Sequence, residues 1–359
     1  MNGYQIPHFG LKRQHNNLKD EILVATNAAL RSGNWVDGPL TEAFREWLKN
    51  KTKTWYAITV HSGTQALEII ALYERAQFNP DFIPKVIVPN LTYPATMNAF
   101  ISTGWAVEIA DTDRNGILNY NPDTYDYQCV VGLYGAAPHE GTAEQELKYN
   151  NSNSFIDGAQ HWLVADGHIG EAMAISFDPT KNLPSSGNGG AIVTNNKRLY
   201  EFALDYVDNG KRQTHTYAGT NSKMSELECA HLLVRTNYID EWQARRKQIR
   251  HYYLQQFENL PIRCLSRDFD NHSDQKFVIY SDARDQLHSH MHLGGIETKI
   301  HYQKTLGELE VARNLKKPDP LLSTSVMLSR GVLSLPIYPE LTDSEVEVIS
   351  ERIKSFFDK

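Results

Sequence analysis

An α/β fold, with a mostly parallel central sheet flanked by helices and a smaller C-terminal α/β domain, is predicted by three observations. Short, wholly apolar runs alternate with helical periodicity through the first two thirds of the chain. That is the pattern of strands buried on both faces by the helices that connect them. After about Asn237 the pattern changes to a long charged helix and weaker strand signals. The chain has 359 residues, about 2.4 times the roughly 150 of an average domain. We therefore divide it into a large domain, residues 1–238, and a small one, residues 239–359.

The elements follow in order. From Leu18 to Leu30 apolar residues recur at helical spacing, and SGNWVDGP (32–39) ends the helix with two glycines and a proline. A second helix, Thr41 to Lys49, carries Phe44, Trp47 and Leu48 on one face. The run Ala57 to Val60 reads as a buried strand, and His61-Ser62-Gly63-Thr64 separates it from a helix with Ala66, Leu67, Ile69, Ile70, Leu72 and Tyr73 at helical spacing. Next come a strand at 86–89, a helix from Ala95 to Thr103, and strands at 107–111, 129–135, 154–157, 174–178 and 191–194. KYNNSNS (148–154) reads as a surface loop. The second domain contributes a helix from Asp240 to Phe257, a strand at 276–280 and a terminal helix from Thr342 to Phe357. Sheets of this class bind ligands at the carboxyl ends of their strands.

Composition narrows the function. With 41% apolar, 22% charged and 10% aromatic residues, the chain sits at the globular average, which excludes long disorder, collagen-like repeats and disulfide scaffolds. A net charge of −7 argues against a general binder of nucleic-acid backbones. Cys129, Cys229 and Cys264 lie far apart without a CxxC, so neither a disulfide framework nor a thiolate metal site is expected, and a reducing cytoplasm fits. MNGYQIPHFGLKRQ lacks an export signal's apolar region, and no run approaches the ~18 apolar residues of a membrane helix. His288, His290 and His292 alternate like ligands on a strand, but Leu287 and Met291 give that segment helical spacing, and no metal site is expected. GNGG (187–190) is not GxGxxG and no GxxxxGK[ST] occurs, so dinucleotide and ATP binding lack a signature.

Three segments carry chemistry. In AISFDPTKNLPSSGNGGAIVTN (174–195) a lysine, Lys181, sits in a polar, glycine-rich turn between two buried strands. A loop lysine alone is ordinarily a solvated surface group. Ser176, five residues earlier at a strand end, and Gly187, Gly189 and Gly190, which let backbone approach a ligand closely, suggest a cofactor cradle instead. Asp157 follows the strand SFID at the same sheet edge, though an aspartate there is equally often a helix cap. Ser62-Gly63-Thr64 opens a helix, offering hydroxyls and free N–H groups at the positive end of the helix dipole, where phosphate binds. The same triplet also occurs as a plain cap.

SGTQALEIIALY, VIVPNLTYPATMNAF, SFIDGAQH, SFDPTKNLPSSGNGGAIVTN, GTNSKMSELECA and VLSLPIYPELT occur in the order and spacing of the nucleotide-sugar aminotransferases. The chain thus resembles the DegT/StrS family of fold-type I pyridoxal 5′-phosphate enzymes from about Gly33 to its C-terminus. The resemblance implies a fold-type I aminotransferase with pyridoxal 5′-phosphate as cofactor and pyridoxamine 5′-phosphate formed midway. In it Lys181 matches the lysine that forms a Schiff base with the cofactor and then acts as base and acid. Asp157 matches the carboxylate paired with the pyridine nitrogen, Gln160 the partner of the phenolic oxygen, and Tyr93 the ring stacked on the pyridine. Gly63, Thr64 and Ser176 match phosphate-binding positions. Asn221 matches an asparagine that reaches the phosphate in the neighbouring subunit, which implies a homodimer with shared active sites.

The resemblance is weaker where the acceptor binds. LGGIETKIHYQKTLGE (293–308) resembles GIxTxxHYxxPLH, so His301 and Tyr302 fall near the sugar pocket, but the proline and histidine that follow are absent. VVGLYGAAPHEG resembles VHLYG with Gly132 where a histidine is usual. Trp35 lies in a loop bordering the site and is expected to contact the acceptor. The implied reaction is ping-pong transfer of the amino group of L-glutamate to a keto sugar on a nucleotide diphosphate, foremost a dTDP-4-keto-6-deoxyhexose. A 3-keto sugar and a keto-inositol are the alternative acceptors. Two further alternatives are a cofactor-dependent sugar dehydratase, which Lys181 opposes because histidine replaces the lysine there, and a non-catalytic regulator, which Lys181, Asp157 and Gln160 together oppose.

Overall fold

The computed structural model describes residues 4–118, 126–138, 153–215, 218–268, 271–317 and 321–358. Seven strands form the large sheet: β1 (Tyr56–Val60), β2 (Lys85–Pro89), β3 (Ala106–Ala110), β4 (Tyr127–Val131), β5 (Ser154–Asp157), β6 (Ala172–Ser176) and β7 (Gly190–Thr194). Their order is β1-β7-β6-β5-β4-β2-β3. β7 runs antiparallel to both neighbours, and the remaining pairs are parallel. The mostly parallel sheet predicted from the apolar runs is therefore present. β5, β6 and β7 are buried at every position, which is why these strands read as continuous apolar text rather than alternation.

Helices cover both faces. On one lie α3 (Gly63–Arg75), α4 (Ala95–Ser102) and α5 (Lys197–Tyr206), packed through Leu67, Ile70, Phe100 and Leu204. The other carries α1 (Leu11–Ser32), α2 (Pro39–Thr52) and α6 (Glu226–Thr236), with Leu18, Phe44, Leu48 and Leu232 around Phe177. α1 begins seven residues before its first expected apolar position and ends at Gly33, whose φ of 70° forms a left-handed cap. α2 starts with Pro39 at its first turn and has no side-chain cap of its own. Glu226 of α6 replaces it, accepting from the N–H groups of Gly38, Leu40 and Thr41 at 2.8–2.9 Å.

The C-terminal part of the chain, expected to form a second domain, contains α7 (Ile239–Gln256), β8 (Arg263–Cys264), β9 (Phe277–Tyr280), α8 (Arg284–Leu293), α9 (Ser323–Gly331), β10 (Val332–Leu335) and α10 (Asp343–Phe357). Its sheet is antiparallel in the order β10-β9-β8. Tyr253, Phe277 and Ile349 fill its core, joined by Ile6 from the start of the chain. Conversely, Leu306, Ala312 and Leu322 pack into the core of the large sheet.

The strand expected over 129–135 stops at Val131. Beyond it Tyr134 has φ 64° and Gly135 φ 116°, and backbone in the left-handed region cannot continue a pleated strand. Of KYNNSNS, residues 148–152 lie outside the described residues, and Ser154 begins β5. Of the three histidines of α8, His288 and His292 both meet Thr298, at 2.6 Å through its hydroxyl and 3.2 Å through its N–H, His292 also pairs with the Tyr4 hydroxyl, and His290 pairs with the Arg352 carbonyl. Among the described residues no helix is long and apolar enough to cross a membrane.

Candidate active site

Because β7 alone is reversed, β1, β2, β5 and β6 all end at one edge of the sheet. The loops that leave them converge on a cavity of about 510 Å³, within the usual range for a small-molecule site. Gly63, Thr64, Tyr93, Asp157, Gln160, Ser176 and Lys181 line it from the large domain, and His301 and Tyr302 close it from the second. Nine of the residues singled out in the sequence thus meet in one place. Trp35 and Asn221 do not line this cavity. Trp35 is 63% exposed, with its carbonyl bonded to the Glu226 N–H, and the exposed Asn221 pairs with Asp208.

Lys181 is presented by a tight turn after β6. Asp178 Oδ1 accepts from the Thr180 N–H at 2.9 Å, and the Asp178 carbonyl accepts from the Lys181 N–H at 2.9 Å. The second domain holds this turn in place: Gln275 Nε2 donates to the Thr180 carbonyl at 2.9 Å and Asn182 Nδ2 to the Ser273 carbonyl at 2.6 Å. Among the described residues the Lys181 Nζ has no hydrogen-bond partner. Burial lowers its pKa below that of free lysine, against the opposing charges of Asp157 and Asp178. A lysine of that kind is a competent nucleophile and base.

Asp157 ends β5. Its Oδ2 accepts from Thr96 Oγ1 at 2.7 Å and its Oδ1 from the Ala159 N–H at 3.2 Å. Three residues on, Gln160 Oε1 accepts from the Tyr134 N–H at 2.6 Å, and its Nε2 lies 3.5 Å from the Tyr302 hydroxyl. Tyr93, 58% exposed, stands beside Tyr302 with ring centroids 6.1 Å apart. Burial and the charge of Asp157 raise the Tyr302 pKa. Burial, with Lys276 and His8 adding repulsion, lowers that of His301 and keeps its imidazole neutral. Its Nδ1 lies 2.8 Å from Ser334 Oγ.

The start of α3 forms another wall of the cavity. Ser62 caps the helix by accepting from the Gln65 N–H at 3.1 Å, which leaves the first N–H groups of the helix facing the cavity. Two glycines make this approach feasible. A Cβ on Gly63 would sit 2.8 Å from the Ser176 Cβ, and one on Gly190 would sit 2.3 Å from the Ser62 carbonyl carbon. The glycine-rich turn was expected to bring backbone toward a ligand. Instead, Gly190 lets β7 touch the start of α3, and the space beside Gly189 is filled by Met224 and Phe177.

Sequence reasoning missed His61, Thr92, Asp178, Thr180, Asn188 and Lys276 on the cavity wall, and Thr96 behind Asp157. His61 was open to detection, since it ends a strand on the binding edge. Lys276 was not, because a lysine opening KFVIY reads as a solvated strand end.

The cavity fits pyridoxal 5′-phosphate. An unpartnered lysine can engage its aldehyde, a carboxylate held by two donors suits a ring nitrogen, and a free helix N-terminus beside Ser176 suits its phosphate. Comparison with known proteins agrees. The chain is 28% identical to the dTDP-3-amino-3,4,6-trideoxy-alpha-D-glucose transaminase of Streptomyces venezuelae, covering 99% of this chain and 97% of the relative. It is also 28% identical to the erythromycin biosynthesis sensory transduction protein EryC1 of Saccharopolyspora erythraea, covering 98% and 99% of the two chains. The crystal structure of S. venezuelae DesV in complex with a ketimine intermediate superposes over all of both chains with a TM-score of 0.87 at 26% identity. Residues 16–125 and 159–354 match one family model, and the chain accordingly belongs to the DegT/DnrJ/EryC1/StrS aminotransferase family and is a pyridoxal 5′-phosphate-dependent enzyme.

Proposed function

We propose that this enzyme transfers the amino group of L-glutamate to the ketone of a nucleotide-linked deoxy sugar, with donor and acceptor using the same cavity in turn. One observation carries the reading: the half-buried Lys181, without a hydrogen-bond partner among the described residues, shares a single cavity with Asp157 and the open start of α3. When bound, the cofactor supplies an aldehyde for the amino group and a ring that accepts electrons. The Gly63 and Thr64 N–H groups and Ser176 hold its phosphate. Asp157, fixed by Thr96 and Ala159, keeps a proton on the ring nitrogen. Lys181 Nζ would take the proton from the substrate carbon that bears nitrogen and return it to the carbon on the far side of that nitrogen, a 1,3-shift for which its lowered pKa suits it. Tyr93 and Tyr302 stand side by side on the cavity wall.

The acceptor we favour is a dTDP-4-keto-6-deoxyhexose. A 3-keto acceptor is the second reading, supported by the Streptomyces venezuelae relative, whose name describes a 3-amino sugar. The enzyme works as a homodimer with shared sites. In support, Asn221 is exposed and lies away from its own cavity, as a residue serving the neighbouring subunit must.

Visible absorbance of the purified enzyme tests the reading. L-Glutamate should bleach the cofactor band, and one member of a panel of keto sugar nucleotides should restore it. Lys181→Ala should abolish turnover, by at least about three orders of magnitude for loss of the central base and nucleophile, while still binding pyridoxamine 5′-phosphate. Near-normal activity in that variant overturns the assignment. A band that glutamate bleaches but no keto sugar restores overturns the acceptor alone.

A further inference from the structure

Lys276 lies just before β9, is 4% exposed and lines the same cavity as Lys181. Its Nζ donates to Gln275 Oε1 at 2.5 Å, and among the described residues no carboxylate forms an ion pair with it. Lys299, by contrast, is paired with Glu297 at 2.7 Å. A buried ammonium without a counter-charge is costly to maintain and attracts any anion admitted beside it. Asp178, Arg246 and Lys181 act on it through their charges, and His8 and His301 both respond to its own. Burial and the repulsion of Lys181 hold its pKa well below that of free lysine. Its place is fixed by the backbone: the Lys276 N–H donates to the Tyr134 carbonyl at 3.0 Å, and the Tyr134 N–H donates to Gln160 Oε1 at 2.6 Å. The backbone at Lys276 is therefore tied to the same residue, Tyr134, that donates to Gln160.

We infer that Lys276 binds a carboxylate of the substrate, holding it across the cavity from Lys181. This deepens the proposed function and rests on its premise that amino-transfer substrates occupy the cavity. The phosphate end is already served by α3 and Ser176, and Lys181 is engaged in proton transfer. Among the described cavity residues, Lys276 is then the remaining amine able to meet a carboxylate. Two substrates carry that chemistry, the amino donor L-glutamate and an acceptor bearing a uronate group.

Lys276→Met keeps the length and removes the charge, and Lys276→Arg keeps the charge. Single-turnover bleaching by L-glutamate is measured first, and re-formation of the band from pyridoxamine 5′-phosphate-loaded enzyme with neutral and uronate keto sugar nucleotides second. If the donor is held, Lys276→Met raises the half-saturating glutamate concentration at least tenfold, changes the limiting rate far less, leaves neutral acceptors unaffected, and is partly rescued by Lys276→Arg. If the acceptor is held, the tenfold change appears with the uronate nucleotide alone. Calorimetry with glutarate gives a readout independent of turnover: wild type and Lys276→Arg bind it and Lys276→Met does not. Unchanged saturation by glutamate and by the uronate, together with glutarate binding equal in all three proteins, overturns the inference. Should Lys276→Met fail to fold, Lys276→Gln replaces it in the same assays. Should wild type bleach with no amino donor, the proposed reaction fails while glutarate binding still decides the role of Lys276.

Discussion

Thr96 shows how a site depends on a side chain that does not line it. Its hydroxyl is one of two donors to Asp157, at 2.7 Å, and it is fully buried on the first turn of α4. Thr96→Val keeps the volume and removes the donor. Hydrogen bonds to charged groups contribute about 1.5–3 kcal/mol. The variant should therefore bind pyridoxal 5′-phosphate about tenfold more weakly, measured by fluorescence titration of the cofactor-free protein, with its melting temperature close to that of wild type. Unaltered cofactor affinity would show that Ala159 alone positions the carboxylate. Thr96 was present in the quoted motif LTYPAT, but a threonine on a helix has no sequence signature that distinguishes a solvent-facing hydroxyl from one turned onto a neighbouring strand.

At the scale of elements, the junction of β7 with α3 links stability to the proposed phosphate site. A methyl group at Gly190 would meet backbone atoms of Ser62 and Gly63 at 2.3–2.6 Å. Backbone cannot yield as a flexible side chain can, so Gly190→Ala must push the start of α3 away from Ser176. Overpacking of this kind costs about 1–3 kcal/mol. We expect a lower melting temperature and, disproportionately, loss of cofactor from the purified protein; full cofactor occupancy after dialysis would contradict the role given to this contact. The capping of α2 by Glu226 has the same character. The carboxylate that completes one helix belongs to another, 185 or more residues away in sequence.

For the whole molecule, Glu74 makes stability depend on pH outside the active site. It ends up buried beneath Tyr127, which donates to it at 2.9 Å, and desolvation raises its pKa from 4.5 to about 7. Below about pH 4.5 native and unfolded chains both carry the proton and the group has no effect. Between 4.5 and 7 the unfolded chain releases a proton that the native state retains, so this contribution to stability is lost as the pH rises. Glu74→Gln should therefore stabilise the protein at pH 8 by about 1 kcal/mol, allowing for partial solvent screening, and leave it unchanged near pH 4. Denaturant melts at the two pH values measure this, and a variant less stable than wild type at pH 8 would refute it.

The sequence by itself determined the layered α/β fold, because strands covered on both faces must be written as apolar runs and the helices between them as periodic ones. It also brought Gly63, Thr64, Asp157, Gln160, Ser176 and Lys181 to one cavity, since each lies within a few residues of a strand end and parallel strands bring their carboxyl ends to one edge. Tertiary structure alone decided what the second domain contributes. Lys276 and the bonds from Gln275 and Asn182 reach the site only after distant segments pack, the two bonds spanning 91 residues and more. The same holds for Gly132, just past the early end of β4 at Val131, where a Cβ would lie 2.2 Å from the His161 ring. Local spacing encodes what a segment becomes, but charge pairing, burial and contact between distant segments are properties of the packed chain and have no local period to read.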